Sequence, residues 1–99
     1  MQSIELVTFR LTPGTDRAAF LSAAHATEPV VRRQPGFCAR MLVEAGDGTW
    51  SDIVTWASHA DAMAAAEAVM ADTGFAPFAA MIDGPTVRMT HAALVWQIA

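Results

Sequence analysis

A four-residue segment, Gln34-Pro35-Gly36-Phe37, separates two stretches of the chain whose apolar residues follow different periods. Apolar residues before it recur at helical spacing, whereas those in residues 37–44 alternate with polar ones as in a strand. The residue before a proline avoids the helical region of the backbone, and glycine tolerates a positive φ. The segment therefore predicts the end of a helix that leads directly into a β-strand.

The rest of the chain continues this succession of strands and helices. Strands are predicted at residues 3–11, 37–44, 50–56 and 86–98. One helix is predicted from residue 15 or 16 to about residue 33 with a kink at Pro29, and a second from a cap at Ser58 to about residue 71. Residues 72–85 are expected to form a short helical turn. The order β-α-β-β-α-β predicts one ferredoxin-like α+β domain, residues 1–99, with both helices on one face of an antiparallel sheet.

Both faces of the predicted sheet carry apolar side chains. In the last strand Met89 and Ala93 point to one side, and Leu94 and Trp96 point to the other. Hydrophobic residues make up 54% of the chain, which is high for a small domain with much unavoidable surface. Because a solvated face of an antiparallel sheet is normally polar, we expect a homodimer that buries the second face against a partner sheet.

The composition excludes several classes of function. All six basic residues are arginines scattered along the chain and the net charge is −4, so no nucleic-acid surface is expected. The chain has no lysine, which excludes Schiff-base catalysis. The single cysteine, Cys38, is expected to be a small buried side chain. The absence of an apolar run of about 20 residues and of an export signal favours a cytoplasmic protein without membrane contact.

Three segments carry a resemblance to a known family. The Pro-Gly-Phe after the first helix, the Trp-x-Ser at Trp56 to Ser58 and the tail IDGPTVRMTHAALVW resemble the antibiotic biosynthesis monooxygenases over essentially the whole chain. The resemblance implies a dimeric α+β barrel with a ligand cavity between the sheet and the helices of each subunit. Some members oxidise polycyclic phenols with O₂ and no cofactor, and others degrade haem. The haem-degrading members use an Asn, a His and a Trp together, and this chain contains no asparagine.

No cofactor and no metal are expected. The segment Thr12-Pro13-Gly14-Thr15 holds a lone glycine, whereas a nucleotide site would need a glycine-rich turn between strand and helix. A catalytic metal would need three well-placed ligands, and His25, His59 and His91 are far apart in the sequence. We expect His25 to lie on the surface.

The ligand cavity is expected to be mainly apolar. Its candidate substrate-binding residues are large aromatic and methionine side chains that face the interior in the predicted elements, namely Trp56, Phe20, Met63, Met70, Phe75, Phe78 and Met81. The alternative for each of them is an ordinary core residue.

The candidate catalytic residues are His91 in the last strand and His59 in the first turn of the second helix. A neutral imidazole could take a proton from a phenol or an enol and so produce the electron-rich carbon that O₂ attacks. The alternative is a histidine in the core or in the interface, and the sequence leaves open which face of the sheet His91 occupies. Arg10 or Arg88 could bind an acidic substrate group, or could be ordinary surface charges.

Two functions follow from these residues. The first is a cofactor-independent monooxygenase that acts on a small aromatic or polyketide-like substrate. The alternative is a non-catalytic dimeric α+β barrel that binds a small molecule or has a purely structural role. The scarcity of hydrogen-bond donors, with neither tyrosine nor asparagine present, weakens the first function.

Overall fold

The computed structural model describes residues 1–99 and contains one four-stranded sheet. Its strands, in chain order, are β1 (Ser3–Phe9), β2 (Phe37–Glu44), β3 (Trp50–Trp56) and β4 (Arg88–Ala93). All neighbouring strands are antiparallel and their spatial order is β2-β3-β1-β4. This order confirms the predicted ferredoxin-like α+β fold.

The helices lie between these strands in the chain and cover one side of the sheet. They are α1 (Arg17–Ala26), α2 (Glu28–Arg32), α3 (His59–Met70) and α4 (Ala76–Ala80), and a 3₁₀ turn at Gly84–Thr86 precedes β4. None of them has the length and the apolar character needed to cross a membrane.

Only a kink at Pro29 was predicted for the first helix, but the structure divides it into two helices at Thr27. Pro29 has no N–H to donate to the carbonyl of His25, so the helical hydrogen-bond pattern cannot continue through it. The Thr27 hydroxyl instead donates to the carbonyl of Ala24 at 2.6 Å, and the Thr27 carbonyl accepts the first bond of α2 from Val31 at 3.0 Å. Thr27 is therefore both the end of α1 and the start of α2.

Gly36 has the left-handed conformation that its place in the sequence predicted, with φ of +84°. A second constraint acts on the same residue, because a Cβ atom at Gly36 would overlap the side chain of Asp61 in α3. Its carbonyl also accepts a hydrogen bond from the Ala57 amide at 2.7 Å. The turn thus connects α2 to β2 and lies directly against the start of α3.

Two apolar clusters fill the space between the helices and the sheet. The first contains Phe9, Phe20, Ala24, Trp50 and Phe78, and the second contains Val31, Val54, Trp56, Ala62 and Ala65. The inner face of α3 is therefore formed by alanines. The prediction that Met63 and Met70 face inward was wrong, because they are 51% and 68% exposed on the outer side of the helix.

The opposite face of the sheet has no helix over it and is apolar at its centre. Leu6 in β1 and Met41 and Val43 in β2 are exposed on this face, next to the half-buried Ile4 and Ile53. The two-sided apolar pattern read from the sequence is thus present in the structure.

The last strand is shorter than predicted and ends at Ala93. Its pairing partner β1 begins at Ser3, so that the amide of Leu94 makes one further bond, to the Gln2 carbonyl at 2.9 Å. Residues 95–99 have no strand beside them, and the side chains of Val95, Trp96 and Ile98 are exposed.

Candidate functional site

Ionisable side chains lie on the helix-facing side of the sheet, among the apolar clusters. The residues are Glu5 of β1, Arg40 of β2, Asp52 of β3 and His91 of β4, which gives each strand one member. Glu5 and Asp52 are buried. Sequence reasoning assigned no role to Glu5, Arg40 or Asp52. The sequence did contain a signal for an inward-facing Glu5. This residue lies four positions before the core residue Phe9, and alternation in a strand places both side chains on one face.

His91 faces the helices and contacts Glu5. The two residues are directly opposite in the register of β1 and β4, so their side chains share one face of the sheet. Nε2 of His91 is 3.2 Å from Oε2 of Glu5, and the two side chains are only 17% and 12% exposed. The structure therefore places His91 on the side of the predicted site and away from the open face.

His59 is the first residue of α3 and completes this group. Its ring lies edge-on to that of His91, with 5.2 Å between ring centroids and an interplanar angle of 86°. The cap of α3, in which Ser58 accepts a hydrogen bond from the Asp61 amide at 3.1 Å, fixes where the helix begins and thus where His59 stands. The two candidate catalytic histidines, 32 positions apart in sequence (91 − 59), are neighbours in the fold.

The protonation of Glu5 is shifted by its surroundings. Burial raises the pKa of Glu5 above its ordinary value, and the charge of Asp52 acts in the same direction. The hydrogen bond and charge of His91 lower it, as does the charge of Arg40, but burial prevails. A carboxyl group with a raised pKa beside an imidazole is an arrangement that can hold and transfer a proton.

A pocket of about 310 Å³ opens at this group, between the start of α3 and the place where the start of β1 pairs with the end of β4. It is lined by His59 and His91 and by residues from the two chain segments beside them, namely Met1, Gln2, Ser3, Ala92 and Ala93. Its volume lies at the lower end of the range for small-molecule sites. Both imidazoles are thus accessible to a small ligand.

A larger pocket of about 570 Å³ lies at the edge of the sheet formed by β2, between this strand and the pair α1 and α2. The guanidinium of Arg40, which lines it, is already bound by Asp52, and Glu28 pairs with Arg32 at 3.2 Å. It also contains one imidazole, that of the exposed His25, but no second ionisable group contacts that ring. The smaller pocket brings two imidazoles and a buried carboxyl group together, so it is the better candidate for chemistry. Cys38 also lines the larger pocket.

The prediction that Cys38 is buried was wrong. A register shift between Phe37 and Ala39 places the cysteine at a bulge of the edge strand β2, where its side chain is exposed.

The seven predicted substrate-binding residues line neither of these pockets. Phe20 and Phe78 are buried and stacked on each other with ring centroids 5.2 Å apart. Phe75 and Met81 are partly buried against them, and Trp56 is buried in the second cluster. The remaining two are Met63 and Met70, which are exposed on the outer side of α3.

These positions have a physical cause. Aromatic packing and the Arg40–Asp52 pair fill the space in which the cavity was expected, so the walls of that cavity are core residues. One of these core residues, Trp56, has an unsatisfied polar group, because its Nε1–H is buried without a hydrogen-bond partner. Leaving such a donor unpaired costs about 1–3 kcal/mol.

The two arginines considered for an acidic substrate group have local partners. A guanidinium N–H of Arg10 donates to the carbonyl of Asp47 at 2.8 Å, and that of Arg88 donates to the carbonyl of Val87 at 2.8 Å. Neither residue lines the pocket at His91. No group of three or more His, Cys, Asp or Glu side chains is arranged to hold a metal ion.

No protein-family model matches the chain, and no curated protein matches it. Among solved structures, it is similar to a mutant of SnoaB, a cofactor-independent oxygenase from Streptomyces nogalater. The identity is 21% and the TM-score 0.73, over 98% of this chain and 96% of that one. A protein from Bordetella bronchiseptica that bears the name antibiotic biosynthesis monooxygenase matches at 14% identity and a TM-score of 0.80, over 96% of this chain and 98% of its own.

A third similar structure, from Nitrosomonas europaea, bears the same name. It matches at 13% identity and a TM-score of 0.74, over 99% of this chain and 94% of its own. Since the similarity extends over nearly the whole of each chain, it concerns the complete fold. The chain therefore has the fold of the antibiotic biosynthesis monooxygenases, which is the fold that the resemblance of its sequence implied.

Proposed function

We propose that the protein is a cofactor-independent monooxygenase that oxidises a small aromatic or polyketide-like molecule in the pocket at His59 and His91. The observation that carries this proposal is the contact of the two imidazoles with each other and of His91 with Glu5 at the wall of a pocket. This arrangement places a proton acceptor at the wall of a pocket that is large enough for a small molecule. The name of SnoaB, a cofactor-independent oxygenase, supports the same reaction class.

The proposed reaction needs only the substrate and O₂. His91 accepts a proton from a phenol or an activated CH₂ group, and the resulting carbanion reacts with O₂ to form a hydroperoxide on the substrate. Loss of water then leaves a carbonyl group. In total a CH₂ group and O₂ become C=O and H₂O, so that the substrate supplies all electrons and no further reductant is required. His59 lies beside His91 and is the second candidate for proton transfer.

We also propose that the working form is a cytoplasmic homodimer of the single domain. The apolar face of the sheet with Leu6, Met41 and Val43 supports this assembly, because it has no partner within the chain. A stable interface of this kind buries more than about 1,200 Å² in total.

The packed interior favours a second candidate function, a non-catalytic dimeric barrel with a binding or structural role. The aromatic side chains expected to surround a substrate instead pack on one another. In that case the Glu5–His91 contact would be a buried polar pair that only stabilises the sheet.

Oxygen consumption distinguishes the two functions. The purified protein is incubated with a panel of anthrones and quinols while dissolved O₂ is recorded, alongside the variants His91→Phe and His25→Phe. We expect O₂ uptake with at least one compound, its loss in His91→Phe, and its retention in His25→Phe, since His25 lines only the larger pocket and not the one at His91. Uptake that is absent in the wild type, or equal in His91→Phe, would contradict the proposal.

A further inference from the structure

Glu5 is an acidic side chain whose only hydrogen-bond partner is His91. The contact is set by the backbone, because the two residues are paired in the register of β1 and β4. A carboxylate in such a position can decide which nitrogen of the imidazole carries the proton. A neutral imidazole has one N–H group and one free lone pair, and the partner of the N–H group selects the tautomer.

We propose that Glu5 is a positioning residue, which accepts a hydrogen bond from Nε2–H of His91 and so leaves Nδ1 as the nitrogen that takes the substrate's proton. This inference rests on the proposed function, in which His91 is the base. The distance of 3.2 Å between Nε2 and the Glu5 carboxylate is within hydrogen-bond range. Nδ1 of His91 makes no hydrogen bond within the protein, so it remains free for a ligand.

The charged groups around Glu5 connect this role to pH. Burial and the charge of Asp52 raise its pKa, whereas His91 and the charge of Arg40 lower it. His59 of α3 is the further titratable group that packs against the pair. Ionised Glu5 accepts the Nε2–H bond, but protonated Glu5 would donate to Nε2 and move the imidazole proton to Nδ1. The base is therefore formed only when Glu5 is ionised and His91 is neutral.

Nuclear magnetic resonance of the imidazole nitrogens tests the positioning without any substrate. With three histidines in the chain, the signals of His91 are assigned by their absence in His91→Phe. At pH 8 we expect the wild type to hold His91 as the Nε2–H tautomer alone. Glu5→Leu, which has no acceptor, should give a mixture of both tautomers. Glu28→Gln is the control, because Glu28 is an exposed carboxylate paired with Arg32, and it should leave the signals of His91 unchanged.

Two spectra would overturn the inference. One is a wild-type spectrum with the proton on Nδ1, and the other is a tautomer that stays the same in Glu5→Leu. Glu5→Gln keeps the shape of the side chain and serves if the leucine variant does not fold. In that variant the amide can both donate and accept, so a mixture of tautomers is again the expected result.

Kinetics of Glu5→Gln give a second readout. We expect kcat to fall by about 10- to 100-fold with little change in KM, as for partners that orient metal-bound histidines. The acid limb of the pH–rate profile should become less steep, because one of the two groups that must be deprotonated is gone. An unchanged kcat and pH profile would contradict the proposed role.

The two measurements separate this inference from the proposed function. A wild type that consumes no O₂ with any compound overturns the oxygenase, while the tautomer of His91 in Glu5→Leu still decides the role of Glu5. If O₂ uptake requires His91 but the tautomer is independent of Glu5, the positioning role alone is wrong.

Discussion

Arg40 and Asp52 form a two-pronged ion pair between neighbouring strands, with Nε 2.9 Å from Oδ1 and Nη2 2.8 Å from Oδ2. The side chains are only 14% and 11% exposed. Nη1 of Arg40 also donates to the hydroxyl of Thr27 at 2.7 Å, at the junction of α1 and α2. The guanidinium lies over the ring of Phe78 at 5.4 Å and thus connects the sheet, the broken helix and the aromatic core.

Removing one partner of this pair should be much more harmful than removing both. Arg40→Met leaves the Asp52 carboxylate buried without its charge partner, and we expect a loss of about 3–5 kcal/mol in the free energy of unfolding. The double variant Arg40→Met with Asp52→Leu should recover most of that loss. Urea unfolding at one fixed protein concentration measures both.

The matched control for the ion pair is the exposed pair of Glu28 and Arg32. Arg32→Met should cost less than about 1 kcal/mol, because an exposed ion pair contributes little. Equal losses in Arg40→Met and Arg32→Met would show that the buried pair has no special structural role.

Gly36→Ala should destabilise the fold through both its backbone and its contact with α3. A side chain at φ of +84° costs about 1–2 kcal/mol, and the added Cβ would also overlap Asp61. Gly14 has the same φ but no atom within 4 Å of an added Cβ, so Gly14→Ala isolates the cost of the conformation. In thermal unfolding, Gly36→Ala should have a lower Tm than Gly14→Ala. The reverse order would contradict the clash with Asp61.

Glu5→Gln should change stability in a way that depends on pH. Since burial raises the pKa of Glu5 in the folded state, the stability contribution of this group is fully present below the pKa of the unfolded carboxyl and is lost as pH rises through the folded pKa. Relative to the variant, the wild type should therefore lose stability from about pH 4 towards neutral pH. The loss is at most about 1.4 kcal/mol for each pH unit between the two pKa values.

Urea unfolding at several pH values, with Glu28→Gln as the exposed control, measures this difference. A difference between wild type and Glu5→Gln that stays constant over the range, or that changes in the opposite direction, would show that the pKa of Glu5 is not raised.

The exposed face of the sheet should be the subunit interface. Light scattering at micromolar concentration should give twice the 10.5 kDa mass of the chain. Leu6→Asp places a charge at the centre of that face and should yield monomers, because an unpaired charge is costly to bury. Met70→Asp, on the exposed side of α3, should leave the mass unchanged. A monomeric wild type would contradict the dimer directly.

Local signals in the sequence were sufficient for much of the fold. Pro35 and Gly36 end one helix and begin β2, and the glycines of the following hairpin set the start of β3, so both predicted strands coincide with the observed Phe37–Glu44 and Trp50–Trp56. Each of these boundaries depends on the conformations allowed to residues close together in the chain. The ferredoxin-like order follows from the sequence of elements, since few topologies accommodate it.

The composition of the site was decided by contacts between distant residues. Glu5 and His91 are 86 positions apart, and only the register of β1 and β4 brings them together. The sequence left the face of His91 open because both faces of its strand are apolar.

Packing also decided what the helices cover. Helical spacing allowed the inner face of α3 to carry Met63 as readily as Ala65, and the close approach of α3 to the sheet selected the small side chain. Phe20 and Phe78 were equally suited to a cavity wall or to a core, and became core because their rings meet each other. The end of β4 depends on where β1 begins. The sequence by itself thus determined the elements and their order, whereas the tertiary structure decided which side chains meet, because that depends on the simultaneous fit of all elements.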